Sequence, residues 1–158
     1  MARLSVGRAI AYGTLTVGVL DALDAIVFFG LRNGVPAYRI FQSIASGLLG
    51  RASFQGGAAT VVLGIACHFT VACGIVTVFV LASRRWPALA QRPFVWGPLY
   101  GIAAYLVMNL VVVPLSAARG GAQPLAVVVN GLLIHIIGVG TPAALFARAA
   151  YAPGGVSQ

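Results

Sequence analysis

Four apolar stretches, each long enough to cross a bilayer, constrain this chain more than any other feature. They run over about 8–31, 57–82, 94–115 and 124–148. Each holds about 20 or more mainly apolar residues, enough helix at 1.5 Å per residue for a hydrocarbon core of about 30 Å. Of the 158 residues, 60% are hydrophobic and 8% charged. A soluble domain carries about 25% charged and 45–50% apolar residues. A soluble fold of this length has no interior large enough for that apolar surface, so lipid is the solvent for the excess. The expected fold class is an all-α integral membrane protein, a four-helix transmembrane bundle forming one domain over 1–158. Its first partner is then the lipid bilayer.

The start, Met1 to Leu20, has a basic beginning and an apolar run, as a signal peptide does. The run continues to Leu31 and contains two Asp, too long and chemically wrong for a signal core, so it is expected to be a retained membrane helix. The connections carry turn chemistry: Asn33-Gly34 before Pro36, three Arg and two Pro with Trp86 over 83–93, and Gly120-Gly121 before Pro124. Pro124 suits a helix start, and the tail 152–158 is expected to be disordered. Residues 36–51 are too short and polar to span. Ile40, Phe41, Ile44, Ala45 and Leu48 recur at helical spacing, with Arg39, Gln42, Ser43 and Ser46 on the other side. That pattern predicts an interfacial amphipathic helix or a re-entrant segment, with a plain connecting helix as the alternative.

All ten basic residues are Arg, and the formal net charge is +8. They sit at the ends of the apolar runs, where headgroups and orientation signals place them. No basic face with interleaved aromatics stands out, so nucleic acid is not an expected partner. Four spans put both termini on one side. That side holds Arg3, Arg8, Arg84, Arg85, Arg92 and Arg148, against Arg32, Arg39, Arg51 and Arg119 on the other. The balance predicts cytoplasmic termini. Cys67 and Cys73 lie six residues apart in one predicted helix. That separation is about 9 Å of rise, which forbids a disulfide between them, and they read as small buried hydrophobes.

The polar residues within the spans carry the chemistry. Asp21 and Asp24 are the only acidic residues, and both fall in the first apolar run. Thr14, Val17, Asp21 and Asp24 share one side of it. The second span repeats Thr60, Gly64, His68 and Ala72; the third Gly97, Gly101, Tyr105 and Asn109; the fourth Gly131, His135, Gly138 and Pro142, with Asn130 adjacent. Small residues at this spacing let helices approach, and polar ones hydrogen-bond across the gap. The four stripes are therefore expected to face one another around a polar core. A carboxylate at the bilayer centre costs about 2.5–3.5 kcal/mol on insertion scales. Asp21 and Asp24 need compensation from protonation, or from partners among His68, His135, Asn109 and Asn130. An Asp–His pair in such a site titrates as a coupled unit.

Short stretches of the second half resemble the YagU-like bacterial inner-membrane proteins. They are His68 in "ACHFTVA", "MNLVVVPLSA" from Met108 to Ala117, and the Gly-x-x-x-His from Gly131 to His135. The resemblance covers about the last hundred residues. It implies a multi-pass inner-membrane protein of bacterial type and carries over no catalytic residues.

The leading functional expectation is a small channel-like or transporter-like protein, proton-linked, using Asp21, Asp24, His68, Asn109, Asn130 and His135, in a chain short enough to need a homo-oligomer or a membrane-protein partner. One alternative is a redox subunit in which His68 and His135 ligate haem iron or a transition metal. Another is a structural or assembly protein. No hydrolase or nucleotide motif is present and no nucleophile stands in a recognisable elbow, so enzymatic activity is not expected.

Overall fold

The computed structural model describes residues 3–118 and 121–151. Arg119 and the tail 152–158 lie outside the described residues. The chain is an all-α bundle containing four helices long and apolar enough to cross a membrane, as a multi-pass membrane protein requires. These are α1 (Val6–Asn33), α3 (Gly57–Arg85), α5 (Pro93–Leu115) and α6 (Leu125–Tyr151). Between them lie α2 (Ala37–Leu49), followed by a 3₁₀ turn at Gly50–Gln55, and the short α4 (Ala88–Gln91). No strand occurs among the described residues.

The helix ends follow from the sequence punctuation. Ser5 caps α1, its hydroxyl accepting from the Arg8 N–H at 3.3 Å. At the other end Gly34 takes φ 64° and donates to the Gly30 carbonyl, while the Val35 N–H reaches the Phe29 carbonyl. This left-handed cap needs glycine and stops the helix where the Asn-Gly pair predicts a turn. Pro93 sits in the first turn of α5, where its missing N–H costs nothing. The Leu4 N–H donates to the Ala149 carbonyl at 3.1 Å, so both ends of the described chain meet at one end of the bundle. This is the terminal end. The opposite end carries α2.

Two of the long helices widen locally. α5 makes a π turn at Met108–Val112, and α6 makes one at His135–Gly140. Each ends two residues before a proline, Pro114 and Pro142. A proline removes one N–H and pushes on the carbonyl four residues earlier, which favours the wider i→i+5 pattern just ahead of it. In α6 the Thr141 hydroxyl donates to the Ile136 carbonyl at 2.7 Å and satisfies an oxygen at the wide turn.

α6 touches all three other long helices. Its contact with α5 is backbone against backbone. A Cβ at Gly101 would strike the His135 carbonyl, and one at Gly140 would strike the backbone of Gly97 and Gly101. Toward the terminal end the interior is apolar: Val17 from α1, Ala72, Val76, Phe79 and Val80 from α3, and Val139, Ala143, Ala144 and Ala147 from α6 are all buried. The terminal half of the core is thus mainly apolar, with the Thr14 hydroxyl and Ser83 among its buried polar exceptions, where a polar core was expected throughout. The reason is in the spacing. One turn from Asp21, His68 and His135 toward the terminal end come Val17, Ala72 and Val139, and these close the interior.

Gln42 and Ser46 of α2 are buried, as is Ala45 of its apolar side, and Gln42 Nε2 donates to the Gly57 carbonyl and to Thr60 Oγ1, each at 3.3 Å. Leu48 and Leu49 face outward. Gly64 lets α3 press on the Phe41 backbone, so the small polar side of α2 is the one that can approach. Cys73 is exposed and Cys67 half-buried, so neither is a core residue.

The α5–α6 contact yields a direct test. Gly101→Ala and Gly140→Ala each overpack backbone and should cost about 1–3 kcal/mol of stability. Gly74→Ala, whose Cβ meets nothing within 4 Å, should cost none. Unfolding of the purified protein in detergent reads all three.

Candidate functional site

Asp21, His68 and His135 come together from α1, α3 and α6. One carboxylate oxygen of Asp21, Oδ2, lies 4.0 Å from His68 Nδ1; the other, Oδ1, lies 4.0 Å from His135 Nδ1. The three residues sit within a turn of the middle of their helices, each displaced toward the α2 end. The Asp21 side chain is 29% exposed, against 10% for His68 and 16% for His135. The carboxylate therefore faces open space while the imidazoles are held in the protein.

Both rings are oriented by backbone. His68 Nε2 lies 2.8 Å from the Gly18 carbonyl, and His135 Nδ1 lies 2.9 Å from the Gly131 carbonyl. A carbonyl only accepts, so these nitrogens carry the protons. A neutral His68 then turns the lone pair of Nδ1 toward Asp21 Oδ2. One proton placed on either atom converts the facing lone pairs into a donor and an acceptor. His135 uses its Nδ1–H on Gly131, leaving Nε2 as the ring's free acceptor when neutral. Gly18 and Gly131 make these contacts affordable in space: Phe69 covers Gly18, and the Tyr105 ring covers Gly131, where a Cβ would come within 2.6 Å of Tyr105 Cε2. Tyr105 also meets His135 edge-to-face at 5.4 Å between centroids.

Asp24 has a different partner. Its Oδ2 accepts a 2.7 Å hydrogen bond from Asn130 Nδ2 of α6. Asn109 does not join this group. Its Nδ2 donates to the Tyr105 carbonyl at 3.0 Å, and its Oδ1 accepts from Gln123 Nε2 at 3.1 Å. It ties the segment before α6 to α5. The expected midplane partners thus divide: Asn130 reaches a carboxylate and Asn109 does not.

Both Asp residues line a cleft of about 140 Å³ between α1 and α6. It extends from His135 past Asn130 to Phe28, Phe29 and Gln123 at the α2 end. A second, more open cleft of about 580 Å³ runs along α5 past Asn109, and Tyr105 and Gln123 line both. Tyr105, Gln123 and the two Phe residues were not among the candidates drawn from the sequence. Tyr105 was legible as a member of the Gly97–Gly101–Asn109 stripe. Gln123 lies outside every span and gave no such signal. As for a metal, no group of three or more His, Cys, Asp and Glu side chains suited to holding an ion occurs among the described residues.

The Asp24–Asn130 bond can be measured by a double-mutant cycle. Interhelical hydrogen bonds within membranes are worth about 0.6–1.7 kcal/mol. Asp24→Val and Asn130→Val should each destabilise the protein, and the double variant should cost less than their sum by about that amount. Additive losses would mean that the two side chains do not interact. Compared with known proteins, the chain matches no family model, no curated protein and no solved structure, so its site is read from its own geometry.

Proposed function

We propose that this chain is a small proton-linked transporter or channel of the bacterial inner membrane, with both termini in the cytoplasm. The observation that carries the reading is Asp21, flanked by His68 and His135 at 4.0 Å on its two oxygens, at mid-depth and open to a cleft. Intramembrane ionisable groups that face a cavity mark ion pathways and proton relays. Three titratable groups drawn from three helices allow a proton to be taken from the cleft by Asp21 and passed to an imidazole. Asp24 of α1 and Tyr105 of α5 are the other titratable groups facing this centre among the described residues, and no Arg among them lines it.

On the terminal side, Val17, Ala72 and Val139 close the interior one turn below the polar residues. This arrangement supports access from the α2 end with a barrier toward the terminal end. In a transport cycle that apolar barrier is the part that must open. The weak excess of Arg on the terminal side supports the orientation, and the YagU-like stretches support the bacterial inner membrane as the location.

The test is proton flux in liposomes. The purified chain should dissipate an imposed pH gradient, read by an entrapped pH-sensitive dye. Asp21→Asn should reduce that rate to about a tenth or less, the loss expected when the only carboxylate of a relay is removed. His68→Gln should slow it while preserving the bond to Gly18. A rate unchanged by Asp21→Asn rejects the mechanism.

A further inference from the structure

The cleft between α1 and α6 has the chemistry of a site for an organic cation, and three independent features point the same way. The first is charge. The chain has a formal net charge of +8, yet both of its acidic residues line this one cleft, and no Arg among the described residues does. Asp24 has a neutral amide, Asn130, as its hydrogen-bond partner and no ion pair among the described residues. A carboxylate removed from bulk water without a counter-charge is costly. A cation bound in the cleft offsets that cost.

The second feature is an unused polar group. Tyr105 is only 8% exposed and lines the cleft. Its ring is fixed by Gly131 and His135, while its hydroxyl makes no hydrogen bond among the described residues. With the two carboxylates, this oxygen makes the cleft rich in acceptors, which matches a protonated amine bearing several N–H groups and mismatches an anion.

The third is the aromatic wall. Phe28 and Phe29 pack edge-to-face at 5.2 Å and face the same space. The protein's own cation–π contacts, Arg39 over Tyr38 at 5.6 Å and Phe54 at 5.8 Å, are at α2. The cleft rings thus have no cation of the protein's own, and their faces and the apolar lining suit the hydrocarbon part of an amine. At about 140 Å³, the space is smaller than the usual range of about 300–1,000 Å³ for drug-sized ligands, which restricts the site to a small amine.

We propose that the cleft binds a protonated aryl- or alkylamine, with its ammonium group among Asp24, Asp21 and the Tyr105 hydroxyl and its hydrocarbon body against Phe28 and Phe29. This names a substrate class for the site above and rests on the reading of that site as a transport centre.

The experiment is calorimetric titration of the full chain in detergent micelles with phenethylamine, using phenethyl alcohol as the neutral counterpart and sodium chloride as competitor. Phenethylamine should bind and the alcohol should not. Asp24→Asn should weaken amine binding about tenfold or more, with helical circular dichroism unchanged. Tyr105→Phe should weaken it about threefold to tenfold, the range for one lost hydrogen bond. Equal binding of amine and alcohol, no effect of Asp24→Asn, or displacement of the amine by sodium at equal concentration would each overturn the proposal. Amine binding without proton flux would reject transport and leave the amine site standing. Proton flux without amine binding would reject the amine site alone.

Discussion

The backbone contact between α5 and α6 organises the functional half of the molecule. Gly97 and Gly101 of α5 leave no volume for side chains against Gly140 and the His135 carbonyl. Helices brought this close gain packing and weak polar contacts along their backbones, which is what drives association where lipid is as apolar as the side chains. The contact has a second effect. It presses on α6 at the wide turn His135–Gly140, so the turn that carries His135 is held from outside as well as widened by Pro142. The Tyr105 ring, one turn beyond Gly101 on the same face of α5, then closes over Gly131 and His135. A single pair of glycine-lined surfaces fixes the imidazole, the aromatic wall and the depth of the cleft together.

Against this rigid pair, α1 brings the charge. Its two carboxylates are one turn apart but meet different surroundings. Asp21 faces two imidazoles, each already committed to a carbonyl through one nitrogen. Asp24 faces an amide, which donates but does not exchange protons at ordinary pH. The first environment suits movement of a proton, and the second suits a fixed charge. In the proposed function the same helix would offer a relay group deep in the cleft and a counter-ion site nearer its mouth. This division of labour follows from what α6 presents at each level: His135 opposite Asp21, and Asn130 opposite Asp24.

The fold was largely legible because its constraints are one-dimensional. Span length and apolar composition place α1, α3, α5 and α6 to within three residues, and the Asn33-Gly34 pair marks the end of α1 because only a left-handed cap fits there. The meeting of Asp21 with His68 and His135 was also legible, since the small-residue stripes identify the inward faces and depth along each helix then selects the partners. What the sequence did not reveal depends on three-dimensional detail. Which side of α2 packs on the bundle was not read from its periodicity, which fixes a two-sided helix and not its neighbour. In lipid, the approach of Gly64 to the Phe41 backbone decides it, and small polar residues fit that contact better than Leu48 or Leu49. The wide turns were missed because a proline inside a span announces a disturbance without saying which form it takes. The side-chain partner of Asn109 was not read from the stripe because it is Gln123, in the segment before α6, whose path no periodicity encodes.

These placements bear on how the molecule would move. The α5–α6 surface has no slack, because every displacement there drives backbone into backbone. The contact of α1 with α6 is different at its two ends. Toward the terminal end it is close: Gly13 lies against Val76 and Phe146, and Val17 is sealed among its neighbours. Toward the α2 end the two helices part to form the cleft, and beyond Asp21–His135 the side-chain hydrogen bond that bridges them among the described residues is Asp24–Asn130. Rocking α1 about its middle would narrow the cleft and loosen the apolar seal in one motion, with Asp21 near the pivot and its two imidazoles held by α3 and α6. Protonation of Asp21 would remove the cost of enclosing its charge. Occupation of the cleft by a cation would do the same for Asp24.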